Sequence, residues 1–278
     1  MKRKNYRQKK GWRLMKLKRL SALMLTLYIL LVFPLFASAE EKKDTTDSFK
    51  LPSHVLDISK ENTAQNDSSD RQSVEPSNET KELLESTSVP IDNSDLIQQL
   101  NETTIKPSPI GIGYRAEIFL GRWPLHYESE ETSVNWEYQQ INKNELKNSG
   151  DTQQQLNYIQ QENKEIRGML TNKIANSETV RKMMLNKTEE KTKLPLAYEV
   201  TIGRNTKTAH SYPVPPEQTG TLEAYAPAIN EKGKVTFGEV YIELKGTKKQ
   251  LVIKNVTKQG VGAWLPIQDH VSYSFKVK

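Results

Sequence analysis

Val235-Thr-Phe-Gly-Glu-Val-Tyr-Ile-Glu-Leu244 decides the fold class. Side chains alternate sides along an extended chain, so Val235 and Phe237 share a face. After Gly238 the phase slips by one residue, and Val240, Ile242 and Leu244 carry the apolar set on. A slip of one residue at a glycine reads as a β-bulge. Gly246-Thr-Lys-Lys249 reads as a turn into Leu251-Val-Ile253, and Asn230-Glu-Lys-Gly-Lys234 as an earlier hairpin turn.

The same period of two recurs outward from this stretch. Ile112, Tyr114, Ala116, Ile118 and Leu120 form one set, and Val134, Trp136 and Tyr138 a second. Leu196, Tyr198, Val200 and Ile202 follow, then Leu222, Ala224 and Ala226, and last Val271, Tyr273, Phe275 and Val277. Half-buried strands produce this pattern. Leu156-Asn-Tyr-Ile159 and Ile166-Arg-Gly-Met-Leu170 are expected to pair through the turn between them. One helix interrupts, Ser177 to Glu190, with Ser177 as its cap and an apolar stripe at Val180, Met183 and Met184. The expected class is mainly β or α+β: antiparallel sheets, sandwich- or barrel-like, with one or two helices.

The β-rich domain is placed at residues 108–278. Residues 40–107 hold 15 acidic and 7 basic residues and one aromatic, Phe49. Such a composition buries too little apolar surface to offset chain entropy, so this segment is expected to be an acidic, partly ordered arm. Within it, Leu51–Ile58 has strand-like alternation. Pro76–Leu84 reads as a short helix capped by Ser77 or Asn78, and Asp95–Leu100 adds a turn.

Residues 1–39 carry ten of the chain's 40 basic residues and no acid. Without them 30 basic residues face 34 acidic ones, so the formal charge of +6 belongs to this leader and is no nucleic-acid footprint. Apolar residues 21–36 and Ala37-Ser38-Ala39 complete the pattern of a cleaved signal peptide. The apolar run falls short of the roughly 20 residues a spanning helix needs, and Pro34 breaks it. The long basic leader keeps an uncleaved anchor as the alternative. The chain contains no cysteine, which excludes a lipid-modified cysteine, disulfides, thiolate metal sites and a thiol nucleophile. A cysteine-free exported chain suits a bacterial cell envelope.

Four stretches resemble the YfkD-like proteins of Bacillus and its relatives. They are Gly113 to Tyr138 (with Gly121-Arg-Trp-Pro-Leu-His-Tyr127 at its centre), Gly233 to Tyr241, Gln259 to Val271, and Ser53 to Asn62. The similarity runs from about residue 51 to 276. It implies a Gram-positive, extracytoplasmic setting and carries no residue role.

No serine-hydrolase elbow, S-x-x-K, K-T-G or H-E-x-x-H motif occurs, and the glycines form no phosphate loop after a strand. The histidines stand far apart, so no metal and no cofactor is expected. Arg122-Trp-Pro-Leu-His-Tyr-Glu-Ser-Glu-Glu131 reads as a loop joining two strands. Trp123, His126 and Tyr127 there, with Trp136 and Trp264, are the candidate binding residues, able to stack on a sugar ring and bond its hydroxyls. The plainer reading, that Trp123 and Tyr127 cover the open end of the sheet, is the favoured one. Asp269 beside His270 suggests an oriented base, but neighbours on a strand face apart and a turn role is favoured. Glu128, Glu130 and Glu131 are candidates for the paired carboxylates of glycoside hydrolysis. Lys248, Lys249, Lys207 and Arg204 sit at turns, where contact with anionic wall polymer is the sharper reading and a solvated surface the ordinary one.

The leading expectation is a non-catalytic binding or interaction module outside the membrane, its partner a cell-wall polymer or an envelope protein. A wall-glycan hydrolase and a membrane-anchored assembly factor are the alternatives.

Overall fold

The Val235–Leu244 stretch lies inside a single 27-residue strand that serves as the spine of the molecule. The structure, a computed structural model, describes residues 50–64, 74–108, 110 and 113–278; the leader, Phe49 and Ile112 lie outside these. The elements are β1 (Val55–Asp57), α1 (Asn78–Glu85), α2 (Ser94–Asn101), β2 (Arg115–Lys147), β3 (Gln154–Ile159), β4 (Lys164–Arg167) and β5 (Met169–Leu170). Then come α3 (Ser177–Thr192), β6 (Glu199–Ile202), β7 (Lys207–Val214), β8 (Thr219–Lys245), β9 (Lys248–Pro266) and β10 (His270–Val277). The fold is mainly β and antiparallel, with three helices among the described residues where one or two are expected from sequence. No helix among these residues is long and apolar enough to cross a membrane.

β8 is paired along both edges. β2 follows one edge from Lys245 back to Thr219; β9 takes the other from Lys245 to Ala228, and β10 takes Tyr225 to Gly220. β1 extends β10, and β5 extends β9, so the sheet stays open. β3 pairs with β7 and β4 with β6 in two small sheets. The expected pairing of Leu156–Ile159 with Ile166–Leu170 is therefore replaced by partners that arrive later in the chain, β7 for the first segment and β6 and β9 for the second.

The phase slip at Gly238 has a physical meaning. Val235 and Phe237 belong to a core with Val180, Met183, Met184 and Leu185 of α3. Val240, Ile242 and Leu244 belong to a different core, covered by Leu83 of α1 and by Leu96 and Leu100 of α2. Strand residues alternate sides, so moving from odd to even positions transfers the buried face from one core to the other. The register with β9 jumps between Phe237 and Glu239, and the extra residue sits in β9, where Asn255 has φ 51°. Gly238 is needed at the crossover: a Cβ there would stand 2.6 Å from Ile253 Cγ2 and 2.8 Å from Leu125 Cδ1. A third core gathers Leu222, Ala224 and Ala226 with Val271, Tyr273 and the strands β3, β4 and β6.

Two expected breaks are absent. Arg122–Glu131 is strand, not loop: β2 runs unbroken for 33 residues. Its register shifts near Gly121, Leu125, Glu130, Asn135–Gln139 and Ile141 reset the alternation each time, which is why the sequence reads as two strands and a connection. Several carbonyls at these bulges are taken up internally: Leu120 O by Trp123 Nε1 (3.2 Å), Pro124 O by Asn93 Nδ2 (2.6 Å), Leu125 O by the Asp92 N–H (2.9 Å) and Ile141 O by Gln160 Nε2 (3.3 Å). Asn230–Lys234 is also strand, paired on both sides. Its glycine answers to packing: a Cβ on Gly233 would lie 2.2 Å from Glu128 O and 2.6 Å from the Tyr127 hydroxyl.

The helices follow their local signals. Ser77 caps α1, accepting from Thr80 N–H at 3.2 Å. Asn93 caps α2, accepting from Asp95 N–H (3.0 Å) and Leu96 N–H (3.3 Å). α3 buries its expected stripe, but Ser177 is its first turn and not its cap; Asn176, at φ 51°, makes no side-chain cap bond. The segment before α1 is tied to the β9–β10 turn, where Ile58 N–H donates to Asp269 O at 2.7 Å and Asn62 Nδ2 to Asp269 Oδ1 at 3.2 Å.

Candidate functional site

A polar groove forms where the start of α2 meets one face of α3, beside the β2 bulge at Leu125. Thr179, Lys182, Met183, Asn186, Lys187 and Glu190 recur at helical spacing and line one wall. The other wall is Asp92, Asn93, Ser94 and Asp95. The groove holds a volume of about 150 Å³ and adjoins a shallower trough of about 670 Å³ toward Lys193 and Pro195.

Asn93 fixes this wall. It is fully buried, its Oδ1 caps α2 and its Nδ2 holds Pro124 O, so helix and strand share one side chain. Asp92 Oδ2 meets His126 Nδ1 at 2.7 Å. Partial burial pushes the Asp92 carboxyl above its ordinary value, and His126 opposes that rise. Asp95 accepts from Thr179 Oγ1 at 2.8 Å and lies 3.6 Å from Lys182 Nζ, which ties α2 to α3. Lys187 pairs with Glu190 at 2.8 Å. Among the described residues, the Ser94 hydroxyl and the Asn186 amide have no hydrogen-bond partner, and both face this groove.

Behind the groove lies a second network. Glu231 is fully buried and accepts from Tyr127 OH (2.7 Å) and Thr132 Oγ1 (2.6 Å). Burial and the Glu231 carboxylate together push the Tyr127 phenol far upward. Lys191 Nζ, at the end of α3, donates to Thr132 Oγ1 (2.9 Å) and Ser129 Oγ (3.0 Å). Ser129 beside Lys191 has the look of a nucleophile and its base. Lys191 is exposed, however, and a solvated ammonium donates a proton in a hydrogen bond instead of taking one. The pair fastens α3 across β2.

The five residues singled out from sequence are dispersed. His126 reaches the groove through Asp92, and Tyr127 points into the core. Trp123 is half-buried over Gly121 and packs on the α1–α2 core. Trp136 packs on the α3 core, and Trp264 stacks on Tyr138 with ring centroids 5.0 Å apart. Glu128, Glu130 and Glu131 pair with Lys258 (3.5 Å), Lys234 and Lys232 (3.0 Å) in an exposed ladder. His270 is buried on Gln268 O at 2.7 Å, while Asp269 is held by Asn62. Among the described residues no three His, Asp or Glu side chains are grouped to hold a metal ion. Sequence reasoning missed Asn93, Asp95, Lys191 and Glu231. Only the first left a signal, an Asn-Ser-Asp sequence that reads as a helix cap.

The family model for YfkD-like protein matches residues 52–278. The chain belongs to the YfkD-like family. It is 49% identical over 253 residues to uncharacterized protein YfkD of Bacillus subtilis (strain 168), covering 91% of this chain and 95% of that one. The YfkD-like match thus takes in β1, both walls of the groove and the whole of β2, β8 and β9. A crystal structure of a lamprey immune protein aligns with 59% of this chain and 53% of its own at 8% identity, with a TM-score of 0.26.

Proposed function

We propose that this YfkD-like chain is exported and acts outside the membrane as a non-catalytic binding module, taking its ligand in the α2–α3 groove. The observation that carries the reading is the state of the groove's ionisable groups. Asp92, Asp95 and Glu190 are each matched to a neighbour, His126, Lys182 and Lys187, while the neutral Ser94 and Asn186 are left to receive a ligand. Acid–base work needs a carboxyl or imidazole within reach of substrate and free to exchange a proton. Here Asp92 and Asp95 tie the start of α2 to β2 and to α3, and Glu190 is paired within α3. A hydroxyl and an amide, each both donor and acceptor, suit a hydroxyl- and amide-bearing ligand such as wall glycan. The basic leader, apolar run and A-x-A site, with a chain free of cysteine, support the location.

The test is co-sedimentation of the protein with cell walls of a Gram-positive bacterium. The wild type is expected to pellet with walls and leave them intact, and Ser94→Trp and Asn186→Trp, which fill the groove, are expected to stay in solution. Unaltered pelleting of both variants, or release of soluble wall fragments by the wild type, refutes the binding role. Recovery of the full-length chain from the cytosol refutes the location.

A further inference from the structure

Trp264 lies on the face of the sheet turned away from α3. Its neighbours Ala263 and Leu265 enter the α3 core, and alternation points Trp264 the other way. The register sets Met169 of β5, Trp264 of β9, Asn230 of β8 and Ser133 of β2 side by side in one row. Neighbouring strands stand about 4.8 Å apart, so the row runs for roughly 14 Å, longer than one sugar ring. The β2 bulge between Asn135 and Gln139 adds a second ring to it. Trp136 packs on the α3 core, but Tyr138, two residues on, stacks on Trp264 with the ring planes 28° apart. Among the described residues, the Trp264 indole N–H, the Tyr138 hydroxyl, the Asn230 amide and the Ser133 hydroxyl have no hydrogen-bond partner, and none of these atoms is sealed from water. The Trp123 indole, by contrast, is taken up by Leu120 O. Met169 is 56% exposed at the end of the row. In the next row Lys232 pairs with Glu131 at 3.0 Å beside Gly262.

We propose that this row is a binding site, separate from the α2–α3 groove, for an uncharged glycan strand of acetamido sugars. Trp and Tyr combine an apolar ring with a polar tip, so the pair meets the apolar side of a sugar while its N–H and O–H reach the hydroxyls. The Asn230 amide is donor and acceptor at once, which matches an acetamido group, and the Met169 thioether is placed to meet that group's methyl. The neighbouring Lys232 and Glu131 neutralise each other, which favours an uncharged strand over an anionic one. The site stands on the opposite face of the sheet from α3 and does not depend on the groove being a binding site.

Chitotetraose is the probe, titrated from about 10 µM to about 10 mM into protein carrying isotope-labelled tryptophan and purified from cells expressing the full-length chain. By NMR the Trp264 indole signal, identified by its loss in Trp264→Phe, is expected to move saturably. The Trp123 signal, whose N–H is held by Leu120 O, is expected to stay in place. Met169→Glu and Asn230→Ala should each weaken binding about 10-fold with the melting temperature unchanged. Ser94→Trp, which fills the groove, should leave the Trp264 titration as it was, so the two sites fail separately. A Trp264 signal that stays still overturns the proposal. So does a titration that Met169→Glu and Asn230→Ala leave unaltered, or one that Ser94→Trp abolishes.

Discussion

Replacing Tyr127 by Phe removes one oxygen and leaves the ring that covers Gly233. The lost group is one of two hydroxyls that solvate Glu231, a carboxylate with no exposure to water. A hydrogen bond to a charged group contributes about 1.5–3 kcal/mol, and the acceptor left behind stays buried. A loss of about 2 kcal/mol lowers the melting temperature of a body this size by roughly 4–8 °C. Differential scanning calorimetry measures it directly. The companion variant Tyr127→Phe with Glu231→Gln separates packing from charge: with the carboxylate neutralised, the phenol's removal should cost well under half as much. A melting temperature for Tyr127→Phe within about 1 °C of wild type would show that Glu231 draws no stability from the phenol, and the network would lose its structural role.

Two further outcomes follow from the groove wall. Asn93→Ala removes the α2 cap and orphans Pro124 O, so about 1–2 kcal/mol is lost, and hydrogen exchange at residues 93–101 should accelerate before the rest of the chain. Asp92 has a raised carboxyl pKa in the folded chain, so its contribution is fully present below the unfolded value and is lost as pH rises through the folded one. The groups facing it are His126, Lys187 and Glu190. Urea unfolding of wild type against Asp92→Asn should therefore show a wild-type advantage that is greatest on the acid side and shrinks toward neutrality; a constant difference contradicts the assignment.

Alternation was legible wherever a strand buries one face without interruption. Leu222, Ala224 and Ala226 are all buried, and so are Val240, Ile242 and Leu244. The slip at Gly238 was legible too, although its cause lies in two cores on opposite sides and an extra residue in β9. β2 was not legible as one strand because every register shift restarts its phase, and a run of shifting phase resembles a loop. The groove was only hinted at. His126 and Asp92 are 34 residues apart, Tyr127 and Glu231 are 104 apart, and no local pattern links such pairs. The aromatic residues attracted attention for their chemistry, yet packing disperses them: Tyr127 is sealed in the core, and Trp123 and Trp136 lean on different ones.

The pairing of β2 with β8 also sets an order of events during synthesis. β2 is complete once Lys147 has been made, but its partner begins at Thr219 and ends at Lys245. At about 5–20 residues per second, a long strand waits several seconds or more with neither edge matched. Its frequent changes of phase keep that waiting strand from offering a regular edge to a neighbouring nascent copy. The same irregularities that hide β2 in the sequence thus protect the chain before its spine exists.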